Sequence, residues 1–216
     1  MLRIFLLFTF ITIISGNNGT VQFSKRNLRN GIATTYQVFE NACQYPIENY
    51  NNFLRVAVSG EEWNNGEKCG SCLEIIGTGN GIGTEPFVGK HKAIITNMCP
   101  ECPPGHFDLY QAGNGIWDIN YEYVACENLG PIQYRVENNN LYYLQLQFIN
   151  TGQPITYCSC NGENMEKTFD NFWVHYNPTE IVNSTNIVYP VYIECNLENG
   201  EIISGNIYEN YDYTNL

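Results

Sequence analysis

Basic residues are scarce. The 216-residue chain carries 10 Lys and Arg against 22 Asp and Glu, a formal net charge of −12. Neutralising nucleic-acid phosphates takes clustered cations, so this balance argues against a nucleic-acid partner and, for the same reason, against an anionic membrane surface. Charge of either sign is also low, 15% of residues against 44% apolar, which separates the chain from disordered sequences and leaves enough material for a core. After Ile14 no apolar run approaches the ~18 residues that cross a bilayer. No long stretch has a 3.6-residue period, so a helical bundle is not expected, and no internal repeat is present.

At the N-terminus, Arg3 precedes an apolar run from Ile4 to Ile14 that ends in Ser15 and Gly16. A short cationic start, an apolar segment too short to span a membrane and small residues at its end read as a secretory leader over residues 1–16. The C-terminal residues Glu209 to Leu216 are polar and carry no lipid-anchor signal. A secreted, extracellular protein follows, with about 200 mature residues forming one large domain or two small ones. Sequons at Asn18 and Asn183 suit that route and are candidate glycosylation sites.

Nine cysteines allow two readings. Cys69 and Cys72, then Cys99 and Cys102, form two C-x2-C pairs 26 residues apart, a spacing that suits four-thiolate zinc in a reducing compartment. An oxidising secretory route favours disulfides, and Cys43 and Cys126 complete an even set of six in that segment. Cys158, Cys160 and Cys195 follow, so one of the first two is expected to pair with Cys195, leaving one thiol over.

Between Gly31 and Cys126, short runs such as 53–58, 72–76, 91–96 and 116–125 alternate with glycine- and proline-rich turns, the pattern of a compact all-β unit. A helical turn is expected around Leu109 to Ala112, and a hinge over Glu127 to Ile132, where Pro131 disfavours helix. A second β unit begins near Gln133. Its clearest strand, Leu141 to Phe148, puts Leu144, Leu146 and Phe148 on one face and Tyr143, Gln145 and Gln147 on the other. From residue 130 onward there are 2 basic and 10 acidic side chains but 10 Tyr, 3 Phe and 1 Trp. Rings with few charges suit a neutral, flat partner such as a sugar, whose C–H faces pack on π systems.

Asp108 lies between Phe107 and Leu109, which points to a partly desolvated carboxyl suited to hold a proton. Around it stand GIATTY at 31–36, ACQY at 42–45, CGSC at 69–72, TNMCP at 96–100, HFD at 106–108 and GIWDINYEYVAC at 115–126. In that order and spacing these motifs closely resemble the expansins and expansin-like proteins, over nearly the whole mature chain. The resemblance implies a six-stranded double-psi β-barrel over 25–129, related to an inverting endoglucanase family, and an immunoglobulin-like, carbohydrate-binding β-sandwich over 131–209. It implies loosening of cellulosic walls without measurable hydrolysis. Carried over by motif, Thr34 and Tyr36 flank the glucan, Asp108 matches the essential acid, and Asn97 stands where some members have a second Asp. Tyr142 and Tyr143 correspond to a flat platform of adjacent aromatics, usually Trp, with Phe169 or Trp173 as a third member. The family's bridges imply Cys43–Cys69, Cys72–Cys126 and Cys99–Cys102. Departures are Gln44 for a customary Gly, Thr35 for an aromatic, and tyrosines for platform tryptophans.

An inverting hydrolase needs an acid and a base roughly 6.5–9.5 Å apart. The strand Ala33 to Tyr36 offers no carboxylate, and an amide such as Asn97 cannot take a proton from water. The reading is therefore a monomer that binds cellulose or a related β-glucan without cofactor, metal or hydrolysis. The alternatives are an inverting endoglucanase-like hydrolase and a cellulose-binding lectin-like or structural coat protein. His106 is able to tune the site near pH 6.5, though a structural role is the commoner one for such a residue. Trp63 and Trp117 are assigned to packing, and Glu101 and Asp118 to turn and strand.

Overall fold

The computed structural model describes residues 27–38, 41–46, 50, 52–127, 129–140, 142–176 and 187–216. The leader and the sequons at Asn18 and Asn183 lie outside these. In the first half, β1 (Arg29–Tyr36), β2 (Leu54–Ser59), β3 (Cys72–Ile82), β4 (Val88–Cys99), β5 (His106–Tyr110) and β6 (Ile116–Val124) close into a barrel in the order β1-β5-β2-β4-β3-β6. Two neighbouring pairs, β1 with β5 and β2 with β4, are parallel and the others antiparallel. Alternation along each strand turns Ala33, Val56, Val58, Phe107, Leu109 and Ile119 into a common core.

One short helix, α1 (Gly60–Trp63), follows β2, with the Ser59 hydroxyl accepting from the Glu62 N–H as its cap. Among the described residues no helix is long and apolar enough to cross a membrane. The helical turn expected around Leu109 does not form. Leu109 and Tyr110 instead continue β5, because Thr35 and Tyr36 of β1 pair with them in parallel register.

The second half is a two-sheet sandwich. One sheet has the order β11-β12-β8-β7-β15, from β7 (Gln133–Asn140), β8 (Tyr143–Ile149), β11 (Glu166–Lys167), β12 (Trp173–Tyr176) and β15 (Thr214–Asn215). The other is β10-β9-β13-β14, from β9 (Ile155–Cys160), β10 (Glu163–Asn164), β13 (Val191–Leu197) and β14 (Ile202–Ile207). Leu144, Leu146 and Phe148 face its core together with Val191, Ile193 and Ile207.

Four disulfides are present: Cys43–Cys69, Cys72–Cys126, Cys99–Cys102 and Cys158–Cys195. The sulfurs of both C-x2-C pairs are thus committed to bridges. Cys160 is a buried free thiol, and burial pushes it up to about 11.

Barrel and sandwich meet around the Cys43 backbone carbonyl. Gln147, fully buried although it lies on the polar side of β8, donates to it at 2.7 Å, and Asn171 donates at 3.3 Å. The Tyr213 hydroxyl donates to the Gln147 carbonyl oxygen in turn. Phe169 leans on Trp63 of the barrel, ring centroids 6.5 Å apart, and Lys68 pairs with Glu198 at 2.7 Å.

Lys167 lies beside this contact, in a niche formed with Tyr45, Phe148, Asn171 and Trp173. Burial lowers it to about 8, against an opposing pull from Glu67 and with a smaller contribution from Lys68 in the same direction.

Two expectations follow from the interface. Gln147→Leu strands the Tyr213 hydroxyl and removes one donor from the Cys43 carbonyl, so chemical denaturation should show a loss of about 1–3 kcal/mol. For Lys167 the folded value lies below the unfolded 10.5. The unfolded chain therefore binds more protons between about 8 and 10.5, and stability attributable to this group rises with pH across that window. Lys167→Met should melt a few degrees above the parent at pH 7, and thermal scans at stepwise higher pH should show that gain shrinking towards zero by pH 10.5.

Candidate functional site

Strand register builds one line of side chains across the barrel's outer face. Thr34 pairs with Asp108, Asp108 with Ala57, and Ala57 with Asn97. Residues paired in register project to the same side of a sheet, so Thr34, Asp108, Ala57 and Asn97 form a row while their chain neighbours turn inward. Ala57, between Asp108 and Asn97, supplies only a methyl and is buried against Cys99, Cys102 and Tyr36. Two strand spacings put the Asp108 and Asn97 backbones roughly 9–10 Å apart.

The Thr34 hydroxyl donates to Asp108 Oδ1 at 2.7 Å and contacts His106 Nε2 at 2.8 Å. A hydroxyl has one proton to give. With that proton on the carboxylate, His106 Nε2 is the donor to Thr34, and the three side chains form a directed chain, His106 to Thr34 to Asp108. Asn97 closes the other end of the row. Its Oδ1 accepts from the Ala42 N–H at 2.8 Å, and its Nδ2 reaches the Tyr36 hydroxyl at 3.5 Å.

Tyr36 is raised above the ordinary phenol value, mainly by burial and also by the negative charge of Asp108, against lowering by Asn97 and Arg55. It is therefore a neutral hydroxyl at physiological pH. Its ring meets Tyr110 edge-on, centroids 5.5 Å apart, and the Arg55 guanidinium stacks 3.7 Å from the centre of Tyr110. Sequence reasoning missed Tyr110 and Arg55. Tyr110 was accessible to it, standing two residues from Asp108 on the same face of β5; Arg55 was not, because only the β2–β5 pairing brings it there.

On the sandwich, Tyr143 pairs with Tyr176 across β8 and β12 and with Asn140 across β7, while Gln145 pairs with Val174. These side chains share the sheet's outward face. Tyr176 is 63% exposed and Tyr142, just before β8, is 37% exposed. Tyr143 is half-buried and donates to Gln145 at 3.3 Å.

Trp173 does not join this face. It pairs with Leu146, points into the sandwich core and is only 5% exposed, so its ring has no surface to offer a polymer. Three positions along a strand reverse the face, so Tyr176, unlike Trp173, points outward beside Tyr143. Phe169 is exposed, with its ring set against the barrel at Trp63.

No family model matches the chain. It is 28% identical over 116 residues to Expansin-A21 of Arabidopsis thaliana, a stretch covering 46% of this chain and 44% of that relative's length. The crystal structure of apo expansin from Clavibacter michiganensis superposes with a TM-score of 0.71 at 20% identity, over 88% of this chain and 96% of that one. A point mutant of the same bacterial expansin, in complex with cellohexaose, gives a TM-score of 0.69 at 20% identity and the same coverage. At 20% identity over 88% of this chain, these superpositions show that the chain has the fold of the bacterial expansin structures.

Proposed function

We propose that this chain is a secreted protein that binds cellulose or a related β-glucan and loosens contacts between polysaccharide chains without hydrolysing them. Residues 1–16 act as the leader, 25–129 as the barrel domain and 131–209 as the carbohydrate-binding domain of a monomer, with glycans at Asn18 and Asn183. The observation that carries the reading is the composition of the barrel row. It holds one carboxylate, Asp108, and beyond Ala57 stands an amide whose oxygen already accepts from the Ala42 backbone. Inversion at a glycosidic bond requires a base there to activate water. Tyr36 is a neutral phenol, and His106 stands on the Thr34 flank of Asp108 and not across the row from it, so neither stands in for that base.

The remaining groups suit gripping a sugar chain. Thr34, Asn97 and Tyr36 offer hydroxyl and amide partners beside Asp108, and the Tyr36–Tyr110 pair gives an apolar edge. Asp108 accepts from a glucan hydroxyl and holds the chain twisted off its neighbours. Tyr142, Tyr143 and Tyr176 supply rings for the C–H faces of further sugar units, with Gln145 and Asn140 between them. The cellohexaose complex of the Clavibacter protein supports a cello-oligosaccharide as the kind of partner.

Purified protein should increase the creep of clamped, heat-inactivated cellulosic walls while reducing-sugar assays on amorphous cellulose and mixed-linkage glucan stay at the buffer level. Sugar release abolished by Asp108→Asn would instead establish the hydrolase. Asp108→Asn and Thr34→Val are expected to lower creep severalfold with unchanged melting temperature. Removing two stacking rings in Tyr143→Ala/Tyr176→Ala forfeits about 1–3 kcal/mol, so depletion isotherms on cellulose should show affinity down by about fivefold or more; retention equal to the parent would remove the platform role.

A further inference from the structure

We infer that Arg55 makes the Asp108 face a reader of acidic glycans, its guanidinium being placed to take the carboxylate of a uronic-acid unit in a chain lying along that face. The inference rests on the glycan-binding reading above and narrows its substrate class.

Strand register brings Arg55 there. Val56 pairs with Leu109 and Ala57 with Asp108, so Arg55, two residues before Ala57 on β2, shares the outward side with Asp108 and with Tyr110, two residues further along β5. Tyr36 pairs with Tyr110. Tyr36, Tyr110 and Arg55 therefore form a second row beside Thr34, Asp108 and Ala57. Arg55 and Asp108 are diagonal neighbours across β2 and β5, with backbones about 7–8 Å apart.

The Arg55 guanidinium lies over the Tyr110 ring, 3.7 Å from its centre. Packing on a ring uses the flat face of a guanidinium and none of its N–H donors, which lie on its edges. Among the described residues those donors have no hydrogen-bond or ion-pair partner, whereas Lys68, Lys90, Lys92 and Arg135 each pair with a glutamate. The chain has 22 acidic side chains for 10 basic ones, so carboxylates are not in short supply. Arg55 is half-buried as well, and a charge drawn partly out of water gains from an anionic partner. Fixed in orientation by Tyr110 and lacking a carboxylate of the chain's own, it is set to receive one from a ligand.

The neighbours decide what carries that carboxylate. Arg offers parallel N–H donors that match a planar carboxylate, and the hydroxyl and amide groups of Thr34 and Asn97 in the adjoining row suit sugar hydroxyls. A uronic acid, a pyranose whose exocyclic carbon is a carboxylate, has both chemistries in one unit. Asp108 does not forbid it. Coulomb energy falls as 1/r, so at one dielectric a carboxylate about 3–4 Å from Arg55 is attracted about twice as strongly as it is repelled by another about 7–8 Å away. The net charge of −12 disfavours polyanions in general, which makes a uronate preference a local property that one substitution removes.

The test is calorimetric titration of the purified protein at low ionic strength with cellotetraose and with the tetramer of β-linked glucuronic acid, which has the same backbone with each exocyclic carbon oxidised to a carboxylate. The uronate should bind more tightly, by about fivefold or more. Arg55→Met, which keeps an apolar cover on Tyr110, should lower the uronate-to-neutral affinity ratio by about tenfold, and Arg55→Lys, a point charge without the fork, should keep only part of it. Lys92→Met removes the same charge at the Glu127 pair and should keep the parent ratio. A ratio unchanged in Arg55→Met, lowered equally in Lys92→Met, or favouring cellotetraose in the parent overturns the assignment. So does a preference abolished by acetate at equal carboxylate concentration, which would identify a simple anion contact. Cellotetraose bound without uronate preference sinks only the role of Arg55, whereas binding of neither sugar overturns the glycan reading with it.

Discussion

The carbonyl oxygen of Cys43 joins the two halves of the molecule. From the sandwich it receives Gln147 and Asn171; within the barrel its residue is held by the Cys43 N–H donating to Thr96 and by the bridge to Cys69. The residue before it, Ala42, donates to Asn97 at the end of the Asp108 row. One dipeptide therefore ties the row, a barrel disulfide and the sandwich sheet into a single set of contacts. A buried carbonyl costs free energy unless it is satisfied, and here both partners come from the sandwich, so undocking exposes an unmet need on each side. The outer face of β8 is shared as a result: its Gln147 end is spent on the barrel and its Tyr143 end is left to solvent.

The Asp108 row is asymmetric in its hydrogen bonding. On one flank hydrogen bonds are donated towards the carboxylate, from His106 to Thr34 and from Thr34 to Asp108. On the other, Asn97 turns its oxygen to the backbone and its amide to Tyr36. A site arranged in this way has donors and acceptors for a polyhydroxyl chain, but its far end is used up in structure. Chemistry that needs a nucleophilic water must draw its base from that end. Binding and strain need only the near one.

How far the sequence could be read depended on whether the deciding interaction was local. Period-two alternation placed Leu144, Leu146 and Phe148 in the sandwich core correctly, since each such choice involves one strand and one buried face. The same logic carried further would have separated Trp173 from Tyr176, three residues apart and hence on opposite faces; aromatic identity was weighed above strand parity. The turn expected at Leu109 failed because pairing with β1 outweighed local tendency. Gln147 was read as polar and outward, which is right for its strand and wrong for its burial, because the barrel that covers it comes from more than a hundred residues earlier.

Composition and pattern alone determined an acidic chain with few cations, built from short strands in two β units, the second rich in tyrosine. They also singled out Asp108 by its apolar neighbours and surrounding motifs. Folding decided the rest: that Thr34, Asp108, Ala57 and Asn97 fall in one line, that Tyr176 and not Trp173 stands beside Tyr143, that Cys195 takes Cys158 and leaves Cys160, and that Arg55 lies over Tyr110. Each of these is a matter of register between strands distant in sequence. Register is set by the joint burial of many side chains and by closure of the barrel, and no single segment carries that information.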